Sequence, residues 1–183
     1  MSTIYLNSFF PINQITANKL MAVCAQLIAS EKPERLYFLF ASPGGEVPAG
    51  IVIYHYLRAL PVKVTMHNIG SIDSIANVIF HAADERKAVP QSTFLFHGVS
   101  LGLEKVSLNR NQLQELSSQL SADEMKIATI LAARCNLTHG DIESMFVQGV
   151  TKDAVFAKDK GIIQEISQPV IPPDAKFISL NFT

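Results

Sequence analysis

The sequence predicts an α/β fold in which helices cover a mostly parallel sheet. Short apolar runs alternate with segments of helical spacing, and that alternation is the signature of βαβ units. The run over 36–40 is apolar throughout, as a strand buried on both faces requires. Proline and glycine break the chain sharply where such runs end.

Ile4-Tyr5-Leu6 opens the first strand, and residues 13–30 carry helical spacing through Ile15, Leu20, Val23, Leu27 and Ile28. Pro33 stops that helix, and the strand over 36–40 follows. Pro43-Gly44-Gly45 ends the strand, after which the pattern predicts a helix over 49–60, a strand over 62–66, a helix over 74–83 and a strand over 93–96. Residues 106–135 place Leu108, Leu113, Leu116, Leu120, Ile127, Ile130 and Leu131 in a polar-studded segment without proline or glycine. One long helix, or two with a break near Ser121, suits that pattern, either covering the sheet or projecting to meet a partner. Thr138, with Asp141 three residues on, is an N-cap for a helix to about Val147. A last helix over 154–160 is stopped by Gly161 and followed by a strand at Ile162-Ile163. Pro169, Pro172 and Pro173 mark a tail over 169–183 that need not join the core. With no internal repeat or linker, residues 1–183 read as a single domain.

At 183 residues the chain can bury a substantial core, and 48% hydrophobic against 17% charged residues describes a globular protein. A net charge of −1 supplies no basic field for nucleic acid. The mean hydropathy of +0.22 is high for a small monomer; a large core or apolar surface buried between subunits accounts for it. Cys24 and Cys135 have no C-x-x-C spacing and read as reduced thiols, not as a disulfide or metal site. The start, Met1-Ser2-Thr3-Ile4, lacks the pattern of a secretory signal, and no apolar run reaches the roughly 18 residues that span a bilayer. The expected location is the cytoplasm, with neither a membrane nor a nucleic acid as partner.

Three short segments could carry chemistry. Consecutive glycines after a strand let the backbone approach a ligand and present N–H groups, although Pro43-Gly44-Gly45 alone is equally a tight turn. Neither G-x-x-x-x-G-K-[ST] nor G-x-G-x-x-G is present, so it is a poor phosphate loop. Ser74 stands at a strand-to-helix junction, where a hydroxyl projects and the N–H of Ile75 faces an incoming oxyanion; a helix cap is the simpler role for it. His97 closes the apolar strand Phe94-Leu95-Phe96. Nucleophile, base and oxyanion donors are together the minimum for acyl transfer. His81, seven residues after Ser74, is a weaker rival base. His55, His67, His81 and His139 show no H-E-x-x-H or i, i+4 pattern, so neither a metal nor another cofactor is expected.

With these segments in view, the chain resembles the ClpP-like serine peptidase family, whose fold is shared with the crotonases. Ser42-Pro43-Gly44-Gly45 through Ala49-Gly50 looks like that family's N-S-P-G-G-x-x-x-A-G segment, and Gly70 to Ala76 lies over its G-x-x-A-S-M-[GA] segment. Val89-Pro90-Gln91-Ser92-Thr93-Phe94-Leu95-Phe96-His97 is similar to its L-P-N-S-x-x-M-I-H. The resemblance implies a ClpP/crotonase-like fold of repeated β-β-α and βαβ units with a long handle helix over about 106–135. It makes Ser74 the nucleophile, His97 the base, and the N–H groups of Gly45 and Ile75 the oxyanion hole. The implied activity is that of a serine endopeptidase cleaving peptides or unfolded polypeptides inside a homo-oligomeric ring.

The departures matter too. The family's H-Q-P reads His97-Gly98-Val99, and Gly149 falls where the family keeps its triad aspartate. Asp153, or after it Asp141, would have to replace that acid; otherwise the Gln148 side chain or a backbone carbonyl would hold the ring. A catalytically weak or inactive ring or scaffold subunit is the alternative, and an acyl-CoA enzyme of crotonase type ranks below it. An AAA+ unfoldase is the family's partner, but the chain starts almost at Ile4, without the usual preceding segment that helps dock it.

Overall fold

The computed structural model describes residues 2–100, 102 and 107–180. Strand β1 (Thr3–Phe9) leads to helix α1 (Gln14–Glu31), where Asn13 and Thr16 cap each other's backbone N–H groups. Lys32, left-handed at φ 49°, ends that helix just before Pro33. Strand β2 (Arg35–Ser42), helix α2 (Val47–Arg58), strand β3 (Lys63–Asp73) and helix α3 (Ala76–Phe80) follow. Then come β4 (Glu85–Ala88), β5 (Thr93–Phe96), the long α4 (Arg110–Ala132) and α5 (His139–Gln148). The chain closes with β6 (Val150–Asp153), α6 (Ala154–Asp159), β7 (Glu165–Ile166) and β8 (Lys176–Ser179).

The strands form a sheet in the order β6-β5-β3-β2-β1-β8, with β4 pairing both β3 and β7. Every pairing is parallel except β5 with β6. The long β3 serves two neighbours in turn. Residues 65–68 pair with β4, and residues 71–73 pair with β5. A register shift in β2 between Phe40 and Ser42 lies alongside this change of partner. The end of β3 is thereby delivered to the β5 side, which brings Ser74 toward His97.

The core is contiguous, and Phe38, Phe40, Phe80, Phe94 and Phe96 are its largest fully buried side chains. Each such burial is worth about 1.5–3 kcal/mol. The Phe80 and Phe94 rings lie 5.5 Å apart and pin α3 onto β5. Cys24 is buried, which pushes its thiol pKa up to about 12, so it packs as a small apolar group. Among the described residues no helix is long and apolar enough to cross a membrane.

Several expectations need correction. Ile162 and Ile163 are core residues in a loop, not a strand, and the pairing falls instead at β7. The tail joins the sheet, because β8 pairs β1 and Leu180 is buried. The segment 85–88 forms β4 despite its charges, since Glu85 pairs with Arg35 and Lys87 with Glu165. Helix α4 runs through Ser121 without a break, capped by Asn109 and Gln112. Val106, where the handle helix is expected to begin, lies outside the described residues.

Candidate active site

The turn after β2 and the turn after β3 meet. Gly44 and Gly45 have φ values of 84° and 149°, a region that side chains other than glycine's rarely adopt. Gly45 forms a parallel bridge with Ile12: the Ile12 N–H donates to the Gly44 carbonyl, and the Glu46 N–H donates to the Ile12 carbonyl, each at 2.8 Å. A Cβ on Gly45 would stand 2.0 Å from the Ile12 oxygen, so no other residue fits. The bridge draws on the flanking groups and leaves the Gly45 N–H out of it. On the other side, a Cβ on Gly44 would stand 2.8 Å from the Ser74 Cβ. Glycine here is what lets the loop abut the serine.

Ser74 has φ 56°, a left-handed conformation that costs a non-glycine residue about 1–3 kcal/mol. Its surroundings fix it there. The Ser74 N–H donates to the Leu95 carbonyl at 2.9 Å, and its own carbonyl accepts from the Asn77 N–H at 3.0 Å and the Asn77 amide at 3.1 Å. That same amide nitrogen donates to Leu95 at 2.9 Å, so one buried side chain ties the turn to β5. Ile75, fully buried, follows at the start of α3.

His97 lies directly after β5 and is half-buried. Its Nδ1 lies 2.7 Å from the Gly98 carbonyl. A carbonyl can only accept, so Nδ1 carries the proton and Nε2 is left as the basic nitrogen. The Gly98 N–H donates to Phe146 of α5 at 3.1 Å, and the Val99 N–H donates to Glu124 of α4 at 3.1 Å. Two helices thus clamp the segment that holds the ring. No hydrogen bond joins Ser74 to His97 among the described residues, but both line one cleft of about 610 Å³ with Gly45. Free sites often show this looseness before substrate closes them.

Asp153 does not orient His97. It pairs with Thr93 at the opposite end of β5, and its carboxylate caps α6 by accepting from the Phe156 N–H at 2.8 Å. Asp141 is spent on the Thr138 cap, where those hydrogen bonds hold its carboxyl below the usual range. The Gln148 amide donates to the Ser144 hydroxyl. The backbone-carbonyl arrangement is the one present. Gly149, the left-handed C-cap of α5, comes just before Val150, which pairs with Phe96, the residue before His97. His81 is fully buried with Nδ1 on the Asn77 carbonyl and is not among the described residues that line the cleft of Ser74.

Three acids that the sequence reading passed over surround the site. Burial raises the Asp73 carboxyl, while the Ser71 hydroxyl and the nearby His97 pull it back down. Glu124 acts through Val99 as described. Asp123 lines the cleft although only 6% exposed. A signal for it exists in the spacing: Asp123, Ile127 and Leu131 fall at i, i+4 and i+8, placing a carboxylate in an otherwise apolar stripe.

Fold and cleft together define a class: an α/β sheet protein presenting serine, histidine and glycine-turn donors at adjoining strand ends. The chain belongs to the Clp protease family, whose model matches residues 3–170. It is 29% identical to an ATP-dependent Clp protease proteolytic subunit of Oltmannsiellopsis viridis, over 82% of this chain and 77% of that one. It is 30% identical to ATP-dependent Clp protease proteolytic subunit 2 of Pseudomonas aeruginosa, over 51% of this chain and 50% of the relative. Among solved structures, a ClpP1 mutant from Listeria monocytogenes superposes with a TM-score of 0.78 at 19% identity, covering 91% of both chains, and so shares the fold.

Proposed function

We propose that the chain is a serine endopeptidase that works through an acyl-enzyme at Ser74. The Ser74 Oγ attacks a peptide carbonyl while His97 Nε2 takes its proton and then passes it to the leaving amine. The N–H groups of Gly45 and Ile75 receive the oxyanion, a role in which a single donor is worth about 10²–10³ in rate. Water, deprotonated by His97, then releases the acyl group. The substrates are peptides or unfolded polypeptides.

The strain at Ser74 carries this reading. A helix cap needs no left-handed serine, whereas a hydroxyl thrust from a sharp turn does. Assembly into a homo-oligomeric cytoplasmic ring is part of the same proposal. The first turns of α4 present Leu113 at 54% exposure among the described residues, as a helix meant for another subunit would. A slow or silent ring subunit is the second reading, and the absence of a carboxylate from the described partners of His97 favours it.

The test is labelling of the assembled protein by a fluorophosphonate probe, alongside hydrolysis of fluorogenic peptides. Labelling confined to Ser74, with hydrolysis lost in Ser74→Ala, is the expected result. Absence of both labelling and hydrolysis in the wild type would leave the scaffold reading in its place.

A further inference from the structure

We infer that the cleft beside Ser74 selects a substrate residue with a cationic side chain, and that Asp123 is the group that recognises it. This rests on the peptidase reading above and deepens it to a substrate class. The cleft walls are largely apolar, from Ile12, Val47, Pro48 and Val99. Against them stand two carboxylates, Glu46 at the rim and Asp123 within, and no lysine or arginine is among the described lining residues. Low-dielectric walls around one sign of charge concentrate its field on whatever enters.

Asp123 is placed to meet a ligand. Its position on α4 is one turn before buried Ile127 and two before buried Leu131, so the helix turns its carboxylate inward rather than to water. Burying a carboxylate costs several kcal/mol unless it is compensated. The compensation here comes from two neighbours on the same helix. Oδ2 accepts from the Gln119 amide at 3.0 Å and Oδ1 accepts from Lys126 Nζ at 2.9 Å. The Lys126 side chain is 54% exposed against 9% for that of Asp123, so the cation of this i, i+3 pair stands at the water side of the contact. A guanidinium or ammonium arriving through the cleft can take over Oδ1 while Lys126 returns to solvent. Gln119 meanwhile keeps the carboxylate oriented. A neutral substrate residue gains nothing from that exchange, and an acidic one meets both Asp123 and Glu46.

The test uses fluorogenic peptides carrying arginine, its neutral isostere citrulline, lysine or glutamate at each residue flanking the scissile bond. At one position kcat/KM for arginine should exceed that for citrulline by about tenfold, with glutamate lowest. Asp123→Asn should bring the arginine-to-citrulline ratio close to one. Lys126→Met, which removes the internal competitor, should raise it. Should Asp123→Asn fail to fold, the Lys126→Met ratio decides: a rise supports the assignment, and no change overturns it. Equal cleavage of arginine and citrulline peptides at every position overturns the inference and leaves the peptidase intact. No cleavage of any peptide together with no labelling of Ser74 removes both.

Discussion

A backbone carbonyl and a carboxylate fix an imidazole in the same tautomer but do not treat its charged form alike. When His97 accepts the proton of Ser74, a carboxylate on Nδ1 would face the new positive charge with a full negative one. The Gly98 carbonyl offers only a dipole. Removing the acid from a serine triad costs about 10⁴ in turnover, so recovering it leaves wide room for improvement. Gly149 is the place to try. It directly precedes Val150, the partner of Phe96 beside His97, and a Cβ there would meet nothing within 4 Å. Its φ of 61° suits glycine, yet aspartate is among the residues that tolerate this conformation, at about 1 kcal/mol. Gly149→Asp should therefore raise kcat for peptides by one to two orders of magnitude, as about half the triad effect in energy, while lowering the thermal midpoint slightly. A variant that folds but hydrolyses no faster would show that the carbonyl already suffices. Gly45 and His97 stand out in the sequence because each follows a local apolar run, whereas Ser74, preceded by Gly70, Ser71 and Asp73, is singled out as more than a cap only by the resemblance to the family's motif. The partner of His97 stays open in the sequence among an acid, the Gln148 amide and a backbone carbonyl, since the choice of the Gly98 carbonyl depends on how α4 and α5 hold residues 98 and 99.

At the scale of elements, α4 reaches back into the site through Glu124. Its Oε1 accepts from the Val99 N–H at 3.1 Å and sits where a Cβ on Gly98 would come within 2.8 Å of it. Glu124 is thus a positioning residue for the carbonyl that holds His97. Glu124→Ala should cut kcat about tenfold, the scale of one lost hydrogen bond, with little change in KM. Glu124→Gln keeps an acceptor oxygen and should restore most of the rate; equal losses in both variants would make the effect electrostatic instead. The helices were readable from their own caps and spacing, as at Thr138 and Asp141 on α5. The strands β4 and β8 were not. Their sequences lack an apolar run, and partners distant in sequence create them: Arg35 and Glu165 beside β4, and β1 beside β8.

The molecule as a whole is laced together by buried polar groups behind the sheet. Arg86, 4% exposed, donates to the carbonyls of Ala83, Arg134, Gly161 and Ile162, and Arg134 donates to those of His81 and Ala83. The ends of α3 and α4 and the turn after α6 are joined there. Burial lowers the Arg86 pKa to about 10, so it is still charged at neutral pH. His81 sits against this pair with no room for a third cation. Burial, with Arg86 and Arg134 adding to it, lowers its pKa to about 3, despite the Asn77 carbonyl that favours the charged ring. Burial likewise lowers His67, held between the Tyr37 hydroxyl and the Ser167 carbonyl. Both folded values fall below the unfolded one near 6.5, so between them the unfolded chain binds more protons. Stability is then full above pH 6.5 and declines as pH falls below it. For His81 the slope approaches about 1.4 kcal/mol per pH unit, or about 3–6 °C in thermal midpoint. A melting series from pH 7.5 to 5 should show that decline. His81→Leu should flatten it relative to wild type, whatever its effect at pH 7.5, because a leucine takes up no proton in either state. An unchanged slope in that variant would mean that His81 is not the group whose protonation the fold resists.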